Sequence, residues 1–451
     1  MAADEERKSM NKLSKGIVLI SAAALTLGLA ACGSSTNSDA GHVYFLNNKP
    51  EVVDQWNELA DMYTKETGVQ VDIQSATSGS YESTLSSELA KNNAPTMFGI
   101  GGFDQYAKYK NYLEPLQDSE AYKLLNEQGK QMAHKDGDDV YGLPYAAEWF
   151  GIIANKKIIN EYAKKSYSVI KSFDDIKDFA TLKTVADEIQ EHKDDMGVKG
   201  AFTSAGMDSS AFRYNFHLPS LPLFYEYRDD GVDMNSVPES VKGTYVDYMQ
   251  NIYDLYITDA TVPASSLSGK TMDDATSEFA LGEAVFFQDG VWIYSALQDQ
   301  GFPDEDLGVL PIYMGVDGEE KQGLNQVISN YWCVNSKSSQ KDQEATQQFL
   351  EWLVTSDAAR ESISQDMGLV TPFKTFDEEA YTVKNPLVEA NREYQENGYY
   401  DVISVSTVSH QWEKDLGSAE LNYAQGQGDW DAVKKVFTDD WAKEYKLAFA
   451  K

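Results

Sequence analysis

The chain has 451 residues, 42% of them apolar and 24% charged. That is an ordinary globular balance in a chain too long for one hydrophobic core, so two lobes are expected. Its 72 acidic and 38 basic side chains leave a formal charge of −34, and the only arginines are Arg7, Arg213, Arg228, Arg360 and Arg392, which excludes recognition of nucleic acid or anionic lipid headgroups by a basic face.

In chain order, the first feature is a targeting pattern. Lys12 and Lys15 precede a short apolar run, Gly16 to Leu27, and then comes Leu29-Ala30-Ala31-Cys32 with a polar stretch from Gly33 onward. The run is too short to cross a bilayer comfortably. Small residues before a cysteine resemble a lipobox, which implies cleavage before Cys32 and a diacylglycerol on its sulfur. Residues 1–32 are then signal and lipidated cysteine, and 33–41 a flexible tether. Met10 is a second candidate start. The other cysteine, Cys333, lies in an apolar run and reads as a buried thiol. Neither a disulfide nor a cysteine metal site is available.

His42 to Leu46 reads as a buried strand. Val52, Val53, Trp56, Leu59, Ala60 and Tyr63 recur at helical spacing, and Gly68 closes that helix. Val69, Val71 and Ile73 alternate as a strand; Tyr81, Leu85 and Leu89 mark a helix; Thr96 to Ile100 is a third strand. This rhythm predicts a largely parallel sheet with helices on its faces. Ligands of such sheets bind beyond the carboxyl ends of strands, here Asn47-Asn48-Lys49 and Gly101-Gly102-Phe103-Asp104. Asp136 to Tyr145 reads as a tight turn into a strand. Its three aspartates lack the later bidentate glutamate of a calcium loop, so no metal is assigned. The stretch 156–270 is helix-rich, and Ala345, Phe349, Trp352 and Leu353 form a later amphipathic helix.

Several separated blocks resemble the bacterial extracellular solute-binding proteins of the maltose-binding group, often called family 1. They are Tyr141-Gly142-Leu143-Pro144-Tyr145 followed by Ile152 to Lys157, then Phe279 to Trp292, Val309-Leu310-Pro311, Val334 to Lys337, and Gly368 to Pro372. The resemblance implies an α/β, two-lobed, periplasmic-binding-protein-like fold (type II) with the ligand cleft between the lobes. Lobe one is expected at 42–147 plus 312–368, and lobe two at 148–311 plus 369–451. It implies a monomeric carrier, without cofactor, that captures a carbohydrate, most naturally an oligosaccharide. The carrier delivers its ligand to the permease subunits of an ABC importer at the outer face of a Gram-positive cell membrane. Closure about a hinge is the expected motion.

A neutral sugar offers hydroxyls and flat C–H faces, so its site needs aromatic platforms and planar polar side chains. Trp292 matches the tryptophan that stacks on sugar in that group, and Asp289 sits in the same turn. Glu148 and Trp149 follow the first crossover, where the group places a cleft carboxylate. Asn48, Lys49 and Asp104 occupy the strand ends of lobe one. Tyr214 and His217 come from an aromatic-polar cluster, Trp412 from a late segment, and Asn330 and Tyr331 from the stretch before Trp332. The segment 206–230 departs from the maltose-binding pattern, which puts maltose itself in doubt. Alternative ligands are a polyol, glycerol phosphate or a peptide; an anionic ligand would want arginine, and only Arg213 is near these positions. A surface glycoside hydrolase would need two carboxylates at a set separation. Asp104, Glu148 and Asp289 serve equally as hydroxyl acceptors, and no nucleophile elbow, zinc-protease motif or P-loop is present.

Overall fold

The computed structural model describes residues 40–449 apart from 77, 102, 205–206, 208–211 and 235. The lipidation signal at Cys32 and most of the tether lie outside the described residues. The strands are β1 (His42–Asn47), β2 (Gln70–Ser75), β3 (Met97–Ile100), β4 (His134–Asp136), β5 (Asp139–Asn155), β6 (Gly200–Phe202), β7 (Ala284–Gly290), β8 (Leu307–Leu310), β9 (Gln322–Val334) and β10 (Tyr400–Ile403).

The first βαβαβ unit forms as its periodicity requires. In the helix Val53–Thr67, Trp56, Leu59, Ala60 and Tyr63 fill one buried face. Gly68 ends it at φ 79°, and its N–H donates to the Thr64 carbonyl at 2.9 Å; this left-handed cap is where glycine costs least. β2, β1 and β3 lie side by side and parallel.

The rest of the sheet corrects the expectation of a largely parallel arrangement. Its order is β2-β1-β3-β9-β5-β7-β6, and β9 runs antiparallel to β3 and to β5, as do β7 and β8 to β5. Two long strands cause this. β5 has 17 residues and β9 has 13, and they pass through the molecule in opposite directions, so every strand that joins them inherits a mixed order. Their register slips between Pro144 and Ala146 and again between Ala146 and Glu148. Slips of this kind bend and twist a strand, and here they fall where β5 leaves one apolar core for another.

On the near side of that bend, Val43, Phe45, Trp56, Leu143, Tyr145, Trp332 and Phe349 pack on one sheet face. Leu46, Tyr81, Phe98, Ile100, Tyr331 and the buried Cys333 pack on the other. On the far side, Phe150, Ile152 and Ala154 face a large core with Phe286, Tyr253 and Trp441. The alternate residues Trp149 and Ile153 face Phe287, Val291 and Val309. This is the two-residue period of a strand buried on both faces. Ile312 to Met314 and Val316 join the far-side core, whereas Leu369, Phe373 and Phe376 join the near-side one. The cores therefore exchange the chain later than at positions 312 and 369.

Candidate functional site

The strand end Asn47-Asn48-Lys49-Pro50 builds the first half of the site by local chemistry. Asn47 is buried; its side-chain amide donates to the Lys49 carbonyl at 2.8 Å and its side-chain oxygen accepts from the Lys49 N–H at 3.0 Å. Such self-bonding is the usual work of asparagine in turns. Pro50 in turn disfavours a helical Lys49, which sits at φ −117°, ψ 80°. Lys49 is thereby turned inward, and its Nζ lies 2.9 Å from both Glu148 and Glu51.

Glu148 ties this loop to the two long strands. Its Oε1 takes the Lys49 ammonium and its Oε2 accepts from Asn330 Nδ2 at 2.8 Å. The Asn330 oxygen accepts from Asn48 Nδ2 at 3.2 Å, and the Asn48 oxygen accepts from the Tyr145 hydroxyl at 3.3 Å. Lys49, Glu148 and Asn330 are buried, while Asn48 is half-buried. Burial would lower the Lys49 ammonium, but Glu148 and then Glu51 outweigh it and hold the pKa above its ordinary value. Burial, foremost, raises that of the Tyr145 phenol.

Two residues farther along the same face of β5, Phe150 stacks on His217 at 4.2 Å, and the His217 ring is 5.4 Å from Trp292. Burial, then the Arg213 charge, push the His217 imidazole down to about 3, so it is neutral. Trp292 is half-buried and its indole folds over Gly290; a Cβ at Gly290 would lie 2.2 Å from that ring. Glycine is therefore required there by close approach, not by backbone angle. Asp289 is fully buried, and its Oδ2 accepts from Arg213 Nη2 at 2.7 Å.

Asn48, Lys49, Glu148 and Asn330 thus come together, as do His217 and Trp292, while Asp289 pairs with Arg213 beside them. Other expected residues sit elsewhere. Trp149 is on the opposite face of β5 and packs into the apolar cluster of Ile153 and Phe287. Tyr214 lies between Tyr253 and Tyr256, its ring 5.6 and 5.5 Å from theirs. Arg213 and His217 project from the π-turn Arg213–His217 toward Asp289 and Trp292, while Tyr214 points into the core. Trp412 is fully buried, its indole N–H donating to the Val436 and Phe437 carbonyls. The stripe Trp412, Leu416, Glu420 faces inward along the helix His410–Ala424, so Trp412 is a core residue in this fold. Tyr331 packs on His134 at 3.9 Å, away from the Glu148 network. The Asp104 side chain lies outside the described residues. Tyr145 was not anticipated, although it ends the crossover block; Arg213 was noted as the one arginine near the candidate positions, without its pairing to Asp289.

A cavity of about 310 Å³ lies between the two lobes. Tyr81, Glu82, Ser83, Gln105 and Lys108 line it from one side, His410 and Lys414 from the other. Along its walls Lys108 is paired to Glu82, and His410 to Glu413 at 2.8 Å. Among the described residues no cluster of three or more His, Cys, Asp and Glu side chains is placed to hold a metal ion.

The sequence profile of the bacterial extracellular solute-binding proteins matches residues 58–390. The chain belongs to that family. Solved structures with the same two-lobed fold include a chitin oligosaccharide binding protein, with 16% identity over 92% of this chain and all of that one at a TM-score of 0.70. The maltose-bound MalE3 of T. maritima aligns at 16% identity over 90% and 100% of the two chains, TM-score 0.67. The GacH receptor of Streptomyces glaucescens, solved unliganded and with acarbose, aligns at 18% over 91% and 99%, TM-score 0.66. No curated protein sequence matches the chain.

Proposed function

We propose that this solute-binding protein captures an oligosaccharide between its lobes and passes it to the permease subunits of an ABC importer. It acts as a monomer, held at the outer face of the membrane by lipid on Cys32. The observation that carries the reading is the run of contacting polar and aromatic side chains along one face of β5. The Asn48, Lys49, Glu148 and Asn330 network leads past Phe150 and His217 to a half-buried tryptophan. Amide and carboxylate groups beside an indole face are what sugar hydroxyls and C–H faces require. The register slips in β5 and β9 at Pro144–Glu148 supply a bend about which the lobes close, shifting the population toward a closed, liganded form. The solved structures with bound maltose or acarbose, and that of a chitin oligosaccharide binding protein, support the choice of ligand class.

A glycerol phosphate ligand is disfavoured because the site's cations are already matched, Arg213 by Asp289 and Lys49 by Glu148 and Glu51. Catalysis is disfavoured for a related reason: Glu148 and Asp289 are both engaged by cations and neither is an unpaired acid. The test is a melting-temperature screen of the purified protein against maltotriose, chitotriose, acarbose, sorbitol, glycerol 3-phosphate and a tripeptide. A saturable rise with one of the oligosaccharides is expected. A rise with only the phosphate or the peptide, or slow release of monosaccharide, would replace this reading.

A further inference from the structure

Around Asp289, three buried polar side chains carry atoms that no group in the structure satisfies. Arg213 is 1% exposed and donates through Nη2 to Asp289, yet its Nε and Nη1 have no hydrogen-bond partner. Gln288, 3% exposed, donates its amide to the Arg213 carbonyl at 3.4 Å while its Oε1 is unpartnered. His217, 5% exposed, has an unpartnered Nδ1. More than nine in ten buried polar groups in folded proteins find a partner, so four orphaned atoms on three neighbouring side chains mark a place where another molecule bonds. The rings around them fix its character. The guanidinium carbon lies 4.9 Å from the Phe287 ring and 5.4 Å from Phe212, and His217 leads to Trp292.

We infer that Arg213 is a specificity-determining residue of the ligand site, whose unpartnered Nε and Nη1 N–H groups donate to hydroxyl oxygens of an uncharged sugar and which, locked to Asp289, selects against anionic ones. This rests on the oligosaccharide reading of the site. The guanidinium offers two unpartnered nitrogens in a rigid plane, Nε with one N–H and Nη1 with two, and Gln288 holds its free acceptor on the other face of β7, the side of Phe150 and His217. Sugar hydroxyl oxygens accept N–H donors of this kind. The charge follows from the pair itself: Arg213 and Asp289 are both desolvated and sum to zero. A carboxylate or phosphate placed there would add an unmatched buried charge beside Asp289. His217 cannot offset it, because burial keeps its ring neutral.

The experiment is calorimetric titration of the purified protein with maltotriose and chitotriose, and with trigalacturonate as the anionic counterpart. The wild type is compared with Arg213→Lys and Gln288→Leu. Arg213→Lys keeps the charge that Asp289 needs and removes the planar fork. Expected are a Kd for the neutral trisaccharide at least 10-fold weaker in Arg213→Lys, a loss of several fold in Gln288→Leu, and trigalacturonate at least 100-fold weaker than the neutral sugar in the wild type. Unliganded melting curves establish that each variant is folded. Should Arg213→Lys not fold, the wild-type discrimination and Gln288→Leu decide the matter. Neutral sugar bound by Arg213→Lys within twofold of wild type, or trigalacturonate bound as tightly as the neutral sugar, overturns the inference and leaves the oligosaccharide reading intact. A wild type that binds none of the probes overturns both.

Discussion

Replacing Glu148 by glutamine is the sharpest perturbation of the polar network. The carboxylate accepts from Lys49 through Oε1 and from Asn330 through Oε2, and the Glu148 side chain is 7% exposed. Glutamine has one oxygen for two donors, so one donor faces an N–H and goes unmatched, at a cost of about 1–3 kcal/mol. Lys49 also loses a buried counter-charge; breaking such a pair from one side costs about 3–5 kcal/mol when nothing replaces it. Glu51 remains 2.9 Å from Lys49, but its side chain is 40% exposed, and exposed pairs contribute only about 0.2–1 kcal/mol. The net expectation for Glu148→Gln is a loss of about 3 kcal/mol. The double variant Lys49→Met/Glu148→Leu, which removes both charges, should recover most of that loss, as apolar replacements of buried pairs commonly do. Denaturant unfolding followed by tryptophan fluorescence reads both. Equal losses in the single and double variants, or none in the single, would mean that the pair is not the desolvated unit described above.

Other expectations follow from single positions. Gly290→Ala places a methyl against the Trp292 ring; it should cost about 1–3 kcal/mol as overpacking and weaken sugar binding by displacing the indole, both measurable by melting and titration. Trp412→Phe should cost about 2–3 kcal/mol, from the void and the loss of the indole donor to two carbonyls, while folded protein binds sugar like the wild type. His134 and His217 are pushed down, mainly by burial, to about 4 and about 3. Below about pH 6.5 the unfolded chain takes up protons that the folded one refuses, so each should lower stability by up to about 1.4 kcal/mol per pH unit as pH falls toward those values; His217→Gln should remove one share of that slope. His410 has the opposite sign: its hydrogen bond to Glu413 raises its pKa above the ordinary value. Its contribution is full below about pH 6.5 and is lost as pH rises through the raised value, so Glu413→Gln should destabilise the protein more at pH 6 than at pH 9.

What the sequence made legible was local. Gly68 closes its helix because a left-handed cap wants glycine, and Asn47-Asn48-Lys49-Pro50 is a polar strand end because those residue types bond their own backbone. The Phe279–Trp292 block brought Asp289 and Trp292 to one turn. Misreadings arose where a decision depended on distant packing. The antiparallel centre of the sheet depends on the paths of β5 and β9, which no local period records. Trp412 was expected in the cleft, but the stripe Trp412, Leu416, Glu420 turns that face inward and leaves His410 and Lys414 toward the cavity. Trp149 and Glu148 are adjacent in sequence, so a strand necessarily sends them to opposite faces, and only the observed direction of Glu148 decides which one reaches the site. Arg213 was visible as the one arginine near the candidate positions, but its partnership with Asp289 spans 76 positions.

The central claim is that an oligosaccharide binds beside Trp292. The most direct measurement is calorimetric titration of the wild type and Trp292→Ala with whichever of maltotriose, chitotriose and acarbose gives the largest melting shift, with Trp412→Phe as the control. The account predicts saturable one-site binding to wild type and Trp412→Phe, and a loss of at least tenfold in affinity for Trp292→Ala. Undiminished affinity in Trp292→Ala would contradict it.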